Sequence, residues 1–587
     1  MQLKRVQSLD KVASFIKENP VVSLDTETTG LNPRKDTLVD IVLGNPTQAI
    51  VFSPIFSEPL KTAKNTFIMH NAKFDLNVLY NNGIDLRDST WFDTTILHHL
   101  LDENAKHSLD SIVQERYGDK YKEEFWAKHK SFEDASEEDR TVYACKDACY
   151  TAILYQDLRK DLKLDGIPDS LIGHAHKLAR SLLDSEVHGI KIDLDYLAEL
   201  GPRVKARIDD ILQESRALVS DEIEILECRY WADELDKRKT AAGKAKVAKP
   251  EFNFSSSKQL VNLLYDRLEL PTQYNKKRKP TVDDEALSKL ESKHPIVEKI
   301  RDLRGNEKVY GTYVEGTIDR MENGRIYPSF NVNGTVTGRL SSSNPNMQQL
   351  PREGGIRGMY VPEPGHRFIS ADFGSLEVVV AAHYSQDKNL LKIIREGASK
   401  HDITAQSLGI DRQLAKRLNF AAQYLCGPKK MAEILGAPQK EAEYVYNRYW
   451  ETYAGERRVI DECKKLIDDG LPIVNPFGRK RRFKKVFADK WEKERVYRQA
   501  YNAKIQGTGS DITHLAFYEV WERLRKTGFG SALFEVHDEI VASARDGREM
   551  AVKYMLEENM VAAGEKAGLS LPLTVEVSGP MDRWEKT

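Results

Sequence analysis

Apolar positions along the chain change their rhythm several times, and each rhythm predicts a different element. Short continuous runs, VVSL at 21–24 and FIM at 67–69, are bounded by polar turns and predict buried strands. DIVLGNPTQAIVFSP predicts a second strand followed by an alternating stretch, and FIMHNAKFDLNVLYNNG passes from a strand into a helix that ends before Gly83. Helical spacing then dominates DYLAELGPRVKARIDDILQESRALV, and a further helix is expected after the Ser255–Ser257 cap signal. RFISADFGSLEVVVAAHY predicts an apolar strand ending at Asp372, a turn, and a helix bearing Glu377. SALFEVHDEIVASA reads as two strands joined tightly at His537 and Asp538. DRQLAKRLNFAAQYLCG and RQAYNAKIQGTGSDI, which lie between these two regions, carry four-residue helical spacing.

With 587 residues and 66.9 kDa, the chain is long enough for several domains. Its 40% hydrophobic and 30% charged residues fit a globular protein, and no apolar run is long enough to span a membrane. The opening MQLKRVQSLDKVASF lacks a secretory signal pattern, so a cytoplasmic location is expected. Cys145 and Cys149 lie four apart on an expected helix, and buried thiols suit them better than a disulfide or a zinc site. A net charge of -2 identifies no nucleic-acid partner and excludes none, since carboxylates can offset basic grooves.

Two separate sets of acids change the picture. Asp25 and Glu27 in LDTETTG lie two apart on an extended backbone, which sends both carboxylates to one side. Asp75 stands near a helix start, and Tyr143 and Asp147 share a helical face. Downstream, the hairpin can bring Asp538 opposite Asp372, with Glu539 as a weaker ligand. Such clusters of like charge are costly without cations, so each set is a candidate site for two Mg2+ ions, with Mn2+ as a substitute. The first suits phosphodiester hydrolysis, with Tyr143 orienting water or phosphate; the second suits nucleotidyl transfer. Arg412, Lys416, Phe420 and Tyr424 recur every fourth residue and line one broad face, the cations suited to a triphosphate and the rings to a sugar and base pair. Solvated caps and an ordinary amphipathic helix are the plain alternatives for any one of these residues.

The first acid set, in its order and local forms, resembles the three exonuclease motifs of DEDDy 3'-5' proofreading exonucleases, with Asp93 in a supporting position. The second set, with the helix between its members, resembles motifs A, B and C of family A DNA polymerases at Asp372–Glu377, Arg412–Tyr424 and His537–Glu539. The resemblance covers nearly the whole chain. It implies an α/β and α+β multidomain fold: an RNase H-like exonuclease domain joined to a right-hand polymerase with antiparallel palm, helical thumb and helical fingers. The expected limits are exonuclease 1–175, connector and thumb 176–335, first palm part 336–405, fingers 406–500 and second palm part 501–587.

By the same resemblance, Lys416 neutralises and protonates pyrophosphate, Glu377 is the steric gate against a ribose 2'-hydroxyl, and His537 belongs to the nucleotide site. Phe420 occupies the position tied to dideoxynucleotide discrimination, and the Phe373 backbone joins Asp372 and Asp538 as a metal ligand. Arg339, Asn344, Arg479, Arg481, Arg498, Asn502 and Gln506 are expected at DNA, with Arg482 beside them; amides at 502 and 506 suit the shared minor-groove acceptors. Val379, Ala421 and Leu425 depart from the family pattern, where arginine and two glycines are frequent, and are expected to alter rate or fidelity.

The partners implied are primer-template DNA, deoxynucleoside triphosphates and a single-stranded DNA 3' end at the exonuclease site. The protein is expected to be a monomer, with replisome proteins as further partners. No separate 5'-nuclease region is apparent, and a phage replicase is preferred over an organellar or bacterial enzyme. Its location would be the cytoplasm of a bacterium or infected host, with an organelle as the alternative. A lone nuclease leaves the second acid set unused, and a silent scaffold explains neither set.

Overall fold

The computed structural model describes residues 1–132, 134–238, 246–275, 277–351, 354–423 and 425–585, without the side chains of Phe420 and Gln423. The first part is a six-stranded sheet: β1 (Gln2–Arg5), β2 (Val21–Thr28), β3 (Leu38–Gly44), β4 (Gln48–Phe52), β5 (Thr66–Met69) and β6 (Thr90–Asp93). Its order is β1-β4-β3-β2-β5-β6, antiparallel at β2–β3 and β3–β4 and parallel elsewhere. DIVLGNPTQAIVFSP therefore contributes two strands; the Asn45 side chain accepts from the Thr47 and Gln48 N–H groups and turns the chain between them.

Among the described residues, seven α-helices accompany this sheet: α1 (Leu9–Glu18), α2 (Ala72–Asn81), α3 (Thr94–Leu101), α4 (Leu109–Tyr117), α5 (Tyr121–Lys128), α6 (Glu137–Leu164) and α7 (Asp169–His188). α6 lies close to the sheet because small side chains face it. Ala144, Cys145, Ala148 and Cys149 pack on Val42, Ala49 and Val51, and a Cβ at Gly44 would stand 2.9 Å from that of Ala148. This close approach carries Asp147 toward β2. Both cysteines are free and buried.

A second, separate apolar core holds the elongated helical part. Ile211, Ile223 and Leu226 pack there on Phe252, Leu263, Ile300 and Leu303. Ser256 caps the helix Ser257–Val261 by accepting from Gln259 N–H, as the serine run predicts. Residues 239–245 of the basic stretch lie outside the described residues.

The remaining part is built on a four-stranded antiparallel sheet. His366–Phe373 lies between Glu539–Arg545 and Val575–Met581, and Gly530–Val536 forms the far edge. Helices Lys490–Thr527 and Glu549–Lys566 pack against it, and helices between 388 and 468 stand beyond. Three of the expected domain limits fall inside continuous helices. Residue 175 is inside α7, 405 inside Lys400–Leu408 and 500 inside Lys490–Thr527, while 335 falls between the paired strands Ser329–Asn331 and Ser341–Ser343. Composition does not mark these limits because amphipathic helices serve both neighbours. Among the described residues, no helix is long and apolar enough to cross a membrane.

Candidate functional site

β2 pairs with β5 up to Ser23 and with β3 through Thr28, so its C-terminal acids have a rigid base. Ligand atoms of Asp25, Glu27 and Asp147 all lie within 4.8 Å of one another. Asp75 joins through Thr26, the residue between the two β2 acids: its Oδ1 accepts from Thr26 N–H (3.0 Å) and Oγ1 (2.7 Å). Burial and the nearby Asp147 push Asp25 up to about 7, against the pull of Lys122. Burial, then Asp25 and Asp147, hold Glu27 well above the carboxylate range, and Asp75 is raised by burial and Asp25. The buried Glu27 Oε1 has no hydrogen-bond partner. A divalent cation would supply the opposite charge these oxygens need, so the residues present fit one.

Two neighbours that sequence reasoning missed hold Asp147. Lys122 Nζ donates to Oδ2 at 2.6 Å and the Tyr121 hydroxyl donates to Oδ1. Tyr143 leans on Phe125 with ring centres 4.5 Å apart. Burial and Asp147 raise its phenol, so it stays a hydrogen-bond donor at working pH. The four-residue spacing of Tyr121 and Phe125 was the available signal for α5. Asp93 is a positioning residue: it accepts from Asn71 and Ala72 N–H at the head of α2 and from Thr95 N–H at the head of α3.

At the second centre, Asp372 pairs in register with Glu539, and Phe373 N–H donates to the Asp538 carbonyl at 3.2 Å, which sets Asp538 beside the strand end. His537 turns the hairpin at φ 60°, its N–H donating to Gln348 Oε1, while Gln348 Nε2 donates to Glu535 O at 2.6 Å. Burial, Asp372 and Glu377 push Asp538 up to about 6. That crowding is the observation that fits a cation here. After Phe373 the chain passes close to its neighbour: a Cβ at Gly374 would meet Thr574 Oγ1 at 2.3 Å. Glu377 follows in the first turn of Leu376–Ser385 and accepts from Arg339 Nη2 at 2.8 Å.

Glu539 departs from its expected place as a ligand. Its carboxylate is buried, with Oε2 3.2 Å from Arg357 Nη1 and Oε1 3.5 Å from Trp584 Nε1. Alternating strand directions decide such a point, and spacing alone does not reveal which partner waits.

Arg412 and Lys416 are exposed on the helix Arg412–Gln423, with Arg412 Nε donating to Asp402 at 2.8 Å. Tyr424 and the Phe420 side chain lie outside the described residues. A cavity of about 400 Å3 gathers Glu377, His401, Asn419, Tyr501 and Asn502 between this helical region and the helices Leu376–Ser385 and Lys490–Thr527. Arg498 is exposed, and Asn502 Nδ2 donates to Gln506 Oε1 at 2.9 Å, so the three do form one helical stripe. Asn344 lines a different cavity, beside Lys73 and Phe74. Val379 is buried, Ala421 is half-buried, and Leu425 stands at φ 50°, in the left-handed region that favours glycine.

Arg479, Arg481 and Arg482, expected at DNA, are each paired with a carboxylate. Arg479 Nη2 lies 2.7 Å from Asp511 Oδ1, and Arg481 and Arg482 share Glu103 at 2.9 and 2.8 Å. A basic run in sequence carries no mark of which acid will meet it, whether Asp511 32 residues on or Glu103 378 residues back. His174, Asp511 and His514 form a second group with metal-ligand spacing. There the Arg479 guanidinium grips both Asp511 oxygens and already supplies positive charge.

An RNase H-like sheet with acids at one strand end, joined to a right-hand palm whose aspartates meet at a hairpin, defines a polymerase fold with an attached exonuclease fold. Residues 229–586 match the model of DNA polymerase family A and residues 3–163 that of 3'-5' exonuclease; the chain belongs to DNA polymerase family A. It is 30% identical to DNA polymerase I of Treponema pallidum over 95% of this chain and 56% of that one. Against Chloroflexus aurantiacus DNA polymerase I the figures are 28%, 99% and 62%, so the chain spans about three fifths of these curated relatives. The DNA polymerase I of Aquifex aeolicus, 28% identical, is matched over 99% of this chain and 98% of its own. In fold the chain is similar to the polymerase domain of Pol1 from M. smegmatis, solved with DNA primer-template and dNTP: TM-score 0.82, 22% identity and 99% of both chains.

Proposed function

We propose that this protein adds deoxynucleotides to a primer 3'-hydroxyl on a DNA template and removes mispaired ends by 3'-5' exonuclease action. Two acidic centres on two different sheets of one chain carry the reading. Mg2+, two ions to a centre and with Mn2+ as substitute, would be held by Asp25, Glu27 and Asp147 with Asp75 behind them, and by Asp372, Asp538 and the Phe373 backbone. When bound, it supplies activation of the attacking water or hydroxyl and neutralises charge on the leaving oxygen.

The chain's own groups do the rest. Tyr143 donates a hydrogen bond to the water or phosphate at the first centre, and Lys122 with Tyr121 fixes the orientation of Asp147. At the second, Arg412 and Lys416 draw the triphosphate, and Lys416 gives its proton to the departing pyrophosphate. Glu377, steadied by Arg339, crowds the sugar's 2' position. Arg339, Arg498, Asn502 and Gln506 face the duplex, and the cavity behind Glu377 admits the nucleotide.

A labelled primer-template with Mg2+, incubated with and without the four dNTPs, tests the reading. Full-length product with nucleotides and shortened primer without them is expected. Asp538→Ala should lose extension and keep shortening; loss of both in a folded variant would refute separate centres.

A further inference from the structure

The loop at residues 29–37 leaves β2 directly after Glu27 and Thr28, and three of its side chains converge on one distant carboxylate. Asn32 Nδ2 donates to Glu322 Oε1 at 2.9 Å, Arg34 Nε donates to Oε2 at 3.1 Å, and Lys35 Nζ lies 3.4 Å from Oε1. The Arg34 guanidinium also covers the Tyr327 ring at 3.7 Å. Glu322 belongs to the turn before the strand Arg325–Ile326, outside the exonuclease sheet. Its side chain is 12% exposed and that of Arg34 18%, so this pair is largely shielded from water, while Lys35 reaches it from the surface at 60% exposure.

This joint walls a cavity of about 600 Å3. Across it stand Asn71, Lys73 and Phe74, at the head of the helix that carries Asp75, and Asn344 lies at its polymerase end. The cleft thus lies between the loop that follows Glu27 and the helix that carries Asp75, and it reaches Asn344, a residue expected near the primer terminus. It is polar and carries ring faces, which suits an unpaired strand with phosphates and exposed bases.

We infer that Glu322 is a latch on the exonuclease entrance: by holding Arg34 and Lys35 it keeps two cations from the phosphates of an entering single-stranded DNA 3' end and sets the affinity of the cleft. The inference rests on the exonuclease reading above. It makes Glu322 a positioning and specificity residue, since it touches neither a metal-site acid nor the scissile bond. An enzyme that must leave correct ends alone gains from an entrance that binds weakly, because only an end already unpaired then reaches the acids.

The test is fluorescence anisotropy of a labelled oligo(dT) strand, with Ca2+ in place of Mg2+ to read binding apart from cleavage, across a salt series. Glu322→Gln retains the shape and a hydrogen-bond acceptor for Asn32 while releasing both cations. Binding should tighten roughly tenfold at low salt, and the slope of log Kd against log salt should steepen by about 1.4, two phosphates' worth on a single strand. Adding Arg34→Gln and Lys35→Gln to that variant should return affinity and slope to those of the intact protein. Unchanged affinity and slope in Glu322→Gln, or a gain that persists without the two cations, overturns the latch. In Mg2+ the same variant should lower KM for single-stranded DNA with kcat retained, and Glu322→Asp should restore the original KM. Failure of the intact protein to shorten any strand would sink the exonuclease reading instead, and the anisotropy result would still stand on its own.

Discussion

Tyr143 and Glu377 show how single side chains divide the work. The Tyr143 ring is fixed by Phe125, so removing its hydroxyl leaves the packing in place. Tyr143→Phe should slow single-strand shortening by roughly 100–1,000-fold, the size of a lost positioned donor, with primer extension unchanged in a gel assay. Glu377 is tied to Arg339 beside the palm aspartates, so Glu377→Ala should remove both the bulk and the anchor. Ribonucleotide incorporation relative to deoxyribonucleotide should rise at least about tenfold, one RT ln 10 of discrimination; an unchanged ratio would end its role as a gate. The acids were legible at this scale because two-residue and four-residue periods reveal which carboxylates share a side. Lys122, Thr26 and Gln348 were not, since each serves a residue on another segment and leaves no period to read.

At the scale of elements, the hairpin around Asp538 owes its placement to charges beneath it. Arg357 and Glu539 form a buried pair, with side chains 10% and 1% exposed, and Trp584 closes over the guanidinium at 4.2 Å. Arg357→Met would strand a buried carboxylate at a cost of about 3 kcal/mol. Thermal unfolding of the polymerase part should move down accordingly, and Arg357→Met with Glu539→Gln should recover much of the loss. No loss in Arg357→Met, or no recovery in the double variant, would show that the pair does not hold the hairpin. The strands and the long helices were legible from their apolar rhythm. The β3–β4 turn and the helices crossing 175, 405 and 500 were not, because an amphipathic helix shared by two parts looks like any other.

On the scale of the whole molecule, exonuclease and palm meet at a buried charged joint. α7 contributes His174, the segment after 475 contributes Arg479, helix Lys490–Thr527 contributes Asp511 and His514, and strand Gly530–Val536 contributes Glu535. Burial opposes a charged imidazole at His514, yet Glu535 at 3.0 Å and Asp511 outweigh it and raise His514 to about 9. A folded-state value above the ordinary 6.5 means stability that is whole below about pH 6.5 and lost as pH rises through 9, roughly 3 kcal/mol in all. Melting temperature followed from pH 6 to 10 should show this decline, and His514→Gln should flatten it. A joint so tightly bound has a consequence for proofreading under the proposed function. The two reaction chambers stay at a constant separation, so the nucleic acid is the travelling part, and how readily its last base pairs fray becomes the timer that chooses between growth and correction.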